Sequence, residues 1–94
     1  MSSKSSPEFY SFQLSEHALK RLNQRQDISL EWIERILTNP TYIQQDPKDY
    51  QLKQAFGRIP EYGDRLLKIV YNDQRTPWIV VTVYFDRTMG KKLL

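Results

Sequence analysis

The hydrophobic pattern of the first half of the chain predicts two short helices. Apolar residues recur there at intervals of three and four, as on one face of a helix, in two separate runs. The runs are Leu14, Ala18, Leu19 and Leu22, then Leu30, Ile33, Ile36 and Leu37. Ser15 and Ser29 are placed as N-caps, and Asn39-Pro40 ends the second run because a residue before proline disfavours helical backbone. We expect helices over residues 15–25 and 29–37.

The second half of the chain has the pattern of strands. β-branched and aromatic residues are concentrated in Arg65–Tyr71 and Trp78–Phe85, which are the strongest predicted strands. Gln51–Ile59 is a more polar candidate that we expect at a sheet edge, and Tyr42–Gln44 is a short one. Two helices followed by such a meander predict an α+β domain, with both helices on one face of an antiparallel sheet of three to four strands.

The faces of the two strong strands decide which side chains lie away from the helices. One face of the last strand is wholly apolar, and we expect it under the helices; it consists of Ile79, Val81, Val83 and Phe85. Lys68 then lies on the other face with Thr82 and Tyr84, which requires Ile69 to pair with Val81 or an equivalent register. A symmetric six-residue loop would exchange the faces, because a shift of one residue turns every side chain over. We therefore expect an odd loop length or a β-bulge.

Composition narrows the classes of function. Ninety-four residues form one domain with a modest core, and 14 Lys and Arg against 11 Asp and Glu give a net charge of +3, which is compatible with nucleic acid. The absence of cysteine excludes disulfides, thiolate catalysis and cysteine-bound zinc. A single histidine gives little basis for a metal site, so we expect neither metal nor cofactor. No apolar run approaches the roughly 20 residues of a membrane span.

The first eight residues are polar and rich in serine. They contain no apolar core of the kind that a signal peptide has, so we expect a disordered tail over residues 1–8. Order should begin near Phe9, and residues 9–94 should form the single domain. A cytoplasmic location is the expectation for such a chain.

One edge of the first predicted helix carries a candidate site. His17, Arg21 and Arg25 follow each other at intervals of four residues, so they form a stripe about 12 Å long. An imidazole exchanges protons near neutral pH and two arginines are permanent cations, a combination that suits phosphodiester chemistry or phosphate binding. A helix edge solvated by long cationic side chains explains the same stripe.

Lys68 and Tyr84, with Thr82, form a second candidate group. A lysine inside an apolar strand can simply bury its stem and keep its amine in water. The amine can equally stabilise negative charge on a phosphorane, and Tyr84 can donate a hydrogen bond or stack on a base. The basic segment after the last strand brings Arg87 to the strand end, where functional side chains often lie.

The pattern of the first helix resembles that of a widespread group of small bacterial domains. These domains carry a His-Ala pair, arginines four and eight residues after the histidine, and a later Ile-Ser before a helix that ends in Asn-Pro. This chain has His17-Ala18, Arg21, Arg25, Ile28-Ser29 and Asn39-Pro40 in those places. The resemblance extends from Phe12 to Asp86. In size and layout the group looks like the BrnT and RelE/ParE toxin superfamily.

The resemblance implies a toxin-like RNA-binding protein and, as a candidate activity, a metal-independent endoribonuclease of a toxin–antitoxin system. In RelE-like toxins the open face of the sheet cuts messenger RNA, and basic residues with a tyrosine or histidine assist attack of the 2′-hydroxyl on the neighbouring phosphate. The implied catalytic residues are His17, Lys68, Tyr84 and Arg87, and the implied RNA contacts are Arg21, Arg25, Lys91 and Lys92. The implied partners are RNA and a separate antitoxin protein. Two alternatives stay open: a non-catalytic protein-interaction domain that kept the fold, and a ParE-like gyrase inhibitor.

Overall fold

The computed structural model describes residues 11–25 and 27–89 of the chain. Its elements are β1 (Phe12–Leu14), α1 (Glu16–Gln24), α2 (Leu30–Thr38), β2 (Tyr42–Gln45), β3 (Lys53–Ile59), β4 (Arg65–Asn72) and β5 (Trp78–Phe85), with a 3₁₀ turn at Pro60–Tyr62. The expected tail, the expected start of order at Phe9, and Lys91 and Lys92 lie outside the described residues.

Both predicted helices are present, and local capping explains their starts. The Ser15 Oγ accepts a hydrogen bond from the Ala18 N–H at 3.0 Å, and the Ser29 Oγ accepts one from the Glu31 N–H at 3.0 Å. Two residues of the predicted apolar faces are nevertheless exposed, because Leu19 and Leu30 are 52% and 55% accessible. The prediction was wrong for these two residues, since the helices rest on the sheet through a narrower stripe.

The sheet has five strands in the order β1-β5-β4-β3-β2 and is mixed. Strands β2 to β5 form an antiparallel meander, whereas β1 pairs in parallel with the start of β5. The predicted α+β fold is confirmed, and the predicted three to four antiparallel strands match the meander; the prediction missed the fifth strand, β1, which makes the sheet mixed. Gln51–Ile59 was expected at an edge, but β3 lies between β2 and β4. Its polar Gln54 is buried and bonded to side chains from Gln44 and Asp46.

A β-bulge in the β4–β5 pair sets the two faces of β5. Lys68 pairs with Tyr84 and Val70 with Thr82, but Tyr71 then pairs with Val80. The expected bulge is confirmed, and Lys68, Thr82 and Tyr84 share a face as predicted. Ile69 pairs with Val83, which is a register equivalent to the expected pairing with Val81 because it keeps the same faces together.

Because of the same bulge, the prediction of the apolar face of β5 was wrong in part. The extra residue at Val81 turns the strand over, so Val80 and Trp78 join Val83 and Phe85 on the side of the helices. Ile79 pairs with Asn72 and lies on the opposite face. The physical reason is the two-residue period of a strand, which one inserted residue reverses.

Both helices pack on one face of the sheet, as predicted. The shared core on that side contains Ala18, Ile28, Ile33, Ile36, Leu37, Ala55, Ile59, Leu67, Ile69, Tyr71, Val80 and Val83. Gly57 lets α2 approach β3 closely, because a Cβ there would lie 2.7 Å from the Ile36 Cγ1. The opposite side of the sheet, here called the far face, has its own buried centre of Phe56, Leu66 and Val70.

Candidate functional site

Helix α1 lies along the edge of β5 that β1 leaves unpaired. The Ser15 N–H donates to the Val80 carbonyl at 2.9 Å, and the Ser15 Oγ donates to the Val81 carbonyl at 3.0 Å. One and a half turns later, the Arg21 Nε donates to the Val83 carbonyl at 3.3 Å. Since an unpaired strand edge needs partners for its carbonyls, these bonds fix α1 and hold the Arg21 guanidinium beside β5.

The ring of Tyr84 lies between two cations. The Arg21 Cζ is 5.5 Å from the centre of the ring and the Lys68 Nζ is 5.1 Å from it. Arg21 comes from α1 on one side of β5 and Lys68 comes from β4 on the other, so the two charges reach the ring from opposite sides. We call these three residues the Tyr84 cluster. The structure thus brings Arg21, from the stripe on the first helix, to Lys68 and Tyr84, which the sequence analysis had grouped together.

Neither cation of the Tyr84 cluster forms an ion pair within residues 11–25 and 27–89. Lys68 does interact with the charge of Asp46. Partial burial acts to raise the pKa of Asp46, but hydrogen bonds from Gln54 and from backbone N–H groups, together with the charge of Lys68, lower it overall. Asp46 thus stays ionised near Lys68 without neutralising it by contact.

Arg25 lies in a different network from the Tyr84 cluster. Its Nε and Nη2 donate to the Asp27 carboxylate at 3.2 and 3.0 Å, and its Cζ lies 5.6 Å from the centre of the Phe85 ring. The Tyr62 hydroxyl donates to the same carboxylate at 2.7 Å. The hydrogen bonds from Arg25, and then from Tyr62, lower the pKa of Asp27 to about 2. The structure therefore gives Arg25 a structural ion pair and separates it from the other two members of the stripe.

His17 lies at the exposed start of α1, one turn before Arg21. The structure describes no contact between its imidazole and the Tyr84 cluster. The part of the prediction that brings His17 to the site thus rests on the shared helix edge alone, and its role stays a prediction.

Arg87 lines a cleft of about 310 Å³ where β3, β4 and β5 reach the same end of the sheet. The cleft also contains Arg58 and Arg65, which the sequence analysis did not single out. Arg58 occupies the same face of β3 as Phe56, so the alternation of that strand was a signal for it. Arg65 carried no such signal, because only the turn at Gly63-Asp64 brings it to the cleft.

A second ion-pair network joins α2 to the 3₁₀ turn. Glu61 accepts hydrogen bonds from Arg35 at 3.0 and 2.7 Å and from the Trp32 Nε1 at 3.2 Å. Hydrogen bonding by Arg35 is the largest of the effects that lower the pKa of Glu61 to about 2. Next to it, the ring of Tyr62 lies 5.5 Å from Trp32 and stacks on Phe85 at 5.3 Å. The network fixes the turn that precedes the cleft.

The described part of the chain offers no candidate metal site and no candidate membrane span. No group of three or more His, Asp or Glu residues there is arranged to hold a metal ion. No helix among those residues is long and apolar enough to cross a membrane.

Comparison with known proteins identifies a family. A family model described as "Domain of unknown function (DUF4258)" matches residues 14–85. The match runs from the last residue of β1 to the end of β5, so it includes both helices and the whole Tyr84 cluster. No curated protein and no solved structure matches the chain.

Proposed function

The chain belongs to the DUF4258 family, and we propose that it binds single-stranded RNA on the far face of its sheet and cuts it without a metal ion. The observation that carries the proposal is the Tyr84 cluster, in which a hydroxyl-bearing ring lies between a guanidinium and an amine. Two cations that form no ion pair with the described residues favour a phosphate, whose charge they can share. Because cations flank the ring, the hydroxyl is the group that Tyr84 offers to a ligand.

The proposed reaction is attack of a 2′-hydroxyl on the neighbouring phosphorus. A bond forms between the 2′-oxygen and phosphorus, and the bond from phosphorus to the 5′-oxygen breaks, which leaves a 2′,3′-cyclic phosphate and a 5′-hydroxyl. Arg21 and Lys68 stabilise the charge that develops on the non-bridging oxygens. Tyr84 donates the proton to the leaving 5′-oxygen, and we assign the general base that takes the 2′-hydroxyl proton to His17.

The setting of a toxin–antitoxin system is part of the same proposal. Its support is the size and layout of the domain, which look like those of the BrnT and RelE/ParE toxin superfamily, and it implies a separate antitoxin protein as partner. Arg25 is left out of the proposed RNA contacts because its guanidinium binds Asp27.

A cleavage assay tests the chemistry. The substrate is a short single-stranded RNA in buffer with EDTA, and a copy with deoxyribose at the cut position is the substrate control. We expect a cyclic phosphate product from the first and none from the second. Tyr84→Phe keeps the ring between the cations and removes only the hydroxyl, so it should slow cleavage by about 10²–10⁴-fold if Tyr84 transfers the proton. His17→Ala tests the proposed base in the same way.

Binding is measured separately from cleavage. Lys68→Ala should weaken RNA binding and reduce the dependence of affinity on salt by about one phosphate contact, because fewer counterions are released. Arg75→Ala is the matched control, since it removes the same charge from the exposed loop between β4 and β5. A purified protein that neither binds nor cuts RNA at low salt contradicts the proposal.

A second candidate function, protein interaction, is favoured by the edge strand β2. This outer strand contains no charged residue, and its Tyr42 and Ile43 are 39% and 47% accessible. Uncharged edge strands accept a further strand readily. Under this alternative, Ile43→Lys abolishes partner binding while the Tyr84 cluster is dispensable. A gyrase supercoiling assay tests the ParE-like alternative, under which the purified chain inhibits the enzyme.

A further inference from the structure

The cleft at the end of β3, β4 and β5 concentrates positive charge outside the Tyr84 cluster. Arg58, Arg65 and Arg87 line its volume of about 310 Å³, against the two carboxylates of Asp64 and Asp86. The left-handed backbone of Gly63 and Asp64, with φ of 68° and 55°, shapes the turn on one side. The Asp86 N–H donates to the Leu66 carbonyl at 2.9 Å and closes the other side.

Both carboxylates of the cleft already have partners within the protein. Asp64 lies 3.9 Å from the Arg58 Nη1, which also donates to the Asp64 carbonyl at 3.1 Å. An Asp86 carboxylate oxygen accepts a hydrogen bond from the Met89 N–H at 2.6 Å. Neither Arg65 nor Arg87 forms an ion pair within the described ranges, so the cleft keeps an excess of positive charge.

Aromatic rings orient one of these cations. The Arg65 Cζ lies 4.8 Å from the centre of the Phe85 ring and 5.6 Å from that of Tyr62. A guanidinium held over a ring keeps its N–H groups directed outward in one plane, which is the geometry that binds two oxygens of a phosphate. The guanidinium of Arg65 is therefore preorganised to bind an oxyanion.

One wall of the cleft, with Arg58 and Leu66, lies on the far face beside the Tyr84 cluster, whereas Arg65 enters the cleft from the helix side, where it lies over Phe85. Phe56 pairs with Lys68 and Arg58 pairs with Leu66, so Arg58 is the diagonal neighbour of Lys68 on the same face. Diagonal neighbours in an antiparallel pair are about 7–8 Å apart. A strand that leaves the Tyr84 cluster along the far face therefore meets Arg58 first, and from there it can enter the cleft that Arg65 and Arg87 also line.

We propose that the cleft is a second phosphate-binding subsite, which holds the RNA backbone next to the phosphate bound at the Tyr84 cluster. This inference rests on the proposed function. The ligand class is the phosphodiester backbone of single-stranded RNA, and Arg65 and Arg87 bind its non-bridging oxygens. The subsite contributes to affinity and register and takes no part in proton transfer.

The test compares the wild-type protein with arginine variants in their affinity for a short oligouridylate. The 2′-oxygens of this RNA are methylated, so that it cannot be cut. Arg87→Ala and Arg65→Ala should each weaken binding about tenfold, the effect of one charged hydrogen bond, and each should reduce the salt dependence by about one contact. Arg75→Ala, at the other end of the sheet, should change neither quantity. Arg87 is exposed, so its variant decides the result if Arg65→Ala does not fold.

A second measurement separates this subsite from the Tyr84 cluster. Inorganic phosphate is titrated into the Lys68→Ala variant while amide resonances are followed at constant ionic strength. Shifts at Gly63, Asp64 and Asp86 support the subsite. If Lys68→Ala weakens RNA binding but Arg65→Ala and Arg87→Ala behave like Arg75→Ala, the subsite is wrong and the proposed function stands. If the wild-type protein does not bind the RNA at low salt, both proposals fail.

Discussion

Asp27 shows how much of this small domain depends on single side chains. Its carboxylate binds Arg25 at the end of α1 and the hydroxyl of Tyr62 in the 3₁₀ turn, so one residue joins two distant parts of the chain. The hydrogen bonds hold the pKa of Asp27 at about 2, below the ordinary value of 3.8. A carboxyl whose pKa is lower in the folded state stabilises the fold above its unfolded pKa.

We predict that this contribution to stability is lost as the pH falls from about 4 to about 2. Asp27→Asn should lower the free energy of unfolding at neutral pH and make its decline over this pH range shallower than in the wild type. Glu34→Gln, on the exposed side of α2, is the control and should leave the decline unchanged. Chemical denaturation at a series of pH values measures both effects. An equal decline in Asp27→Asn and wild type would contradict the assignment.

Strand alternation and helix spacing predicted some residues of the candidate site and missed others. Lys68 and Tyr84 were placed on one face because the wholly apolar face of β5 required an odd loop or a bulge, and the bulge that is present pairs the two residues. Arg65 was missed because the cleft joins the ends of three strands, which no local pattern encodes. Arg58 was missed although the alternation of β3 places it on the same face as Phe56. Arg25 was assigned to RNA, since the spacing of a helix does not show that Asp27 binds it.

At the scale of elements, the bulge in β5 has a measurable consequence. Val80 is fully buried, whereas Val81, at the inserted position, is only partly buried. We predict that Val80→Ala lowers the free energy of unfolding by about 1–3 kcal/mol, through lost transfer energy and a cavity. Val81→Ala should cost clearly less. Urea denaturation of the pair checks this, and equal midpoints would mean that the bulge lies elsewhere.

The elements themselves differed in how well they could be predicted. Both helices were predicted because Ser15 and Ser29 cap them through local hydrogen bonds. Strand β1 was missed because three residues are too few to show alternation. Strand β3 was expected at an edge because Gln54 is polar, yet tertiary hydrogen bonds from that residue allow its burial.

At the scale of the whole molecule, the sheet presents β2 as its exposed long edge. We predict that Ile43→Lys slows aggregation on heating, because a lysine on an edge strand discourages pairing with another chain. Leu19→Lys is the matched control, since Leu19 is similarly exposed but lies on a helix. Light scattering during a temperature ramp measures the difference. Equal protection by both variants would show that lower surface hydrophobicity, and not the edge, is responsible.

The position of α1 along β5 also limits how copies of this domain can polymerise. A filament built by strand addition needs two receptive edges on each molecule, one to extend from and one to extend onto. Among the described residues, the β5 side offers the three residues of β1, followed by carbonyls that already accept hydrogen bonds from Ser15 and Arg21. We therefore expect strand addition through β2 to stop once two molecules have joined.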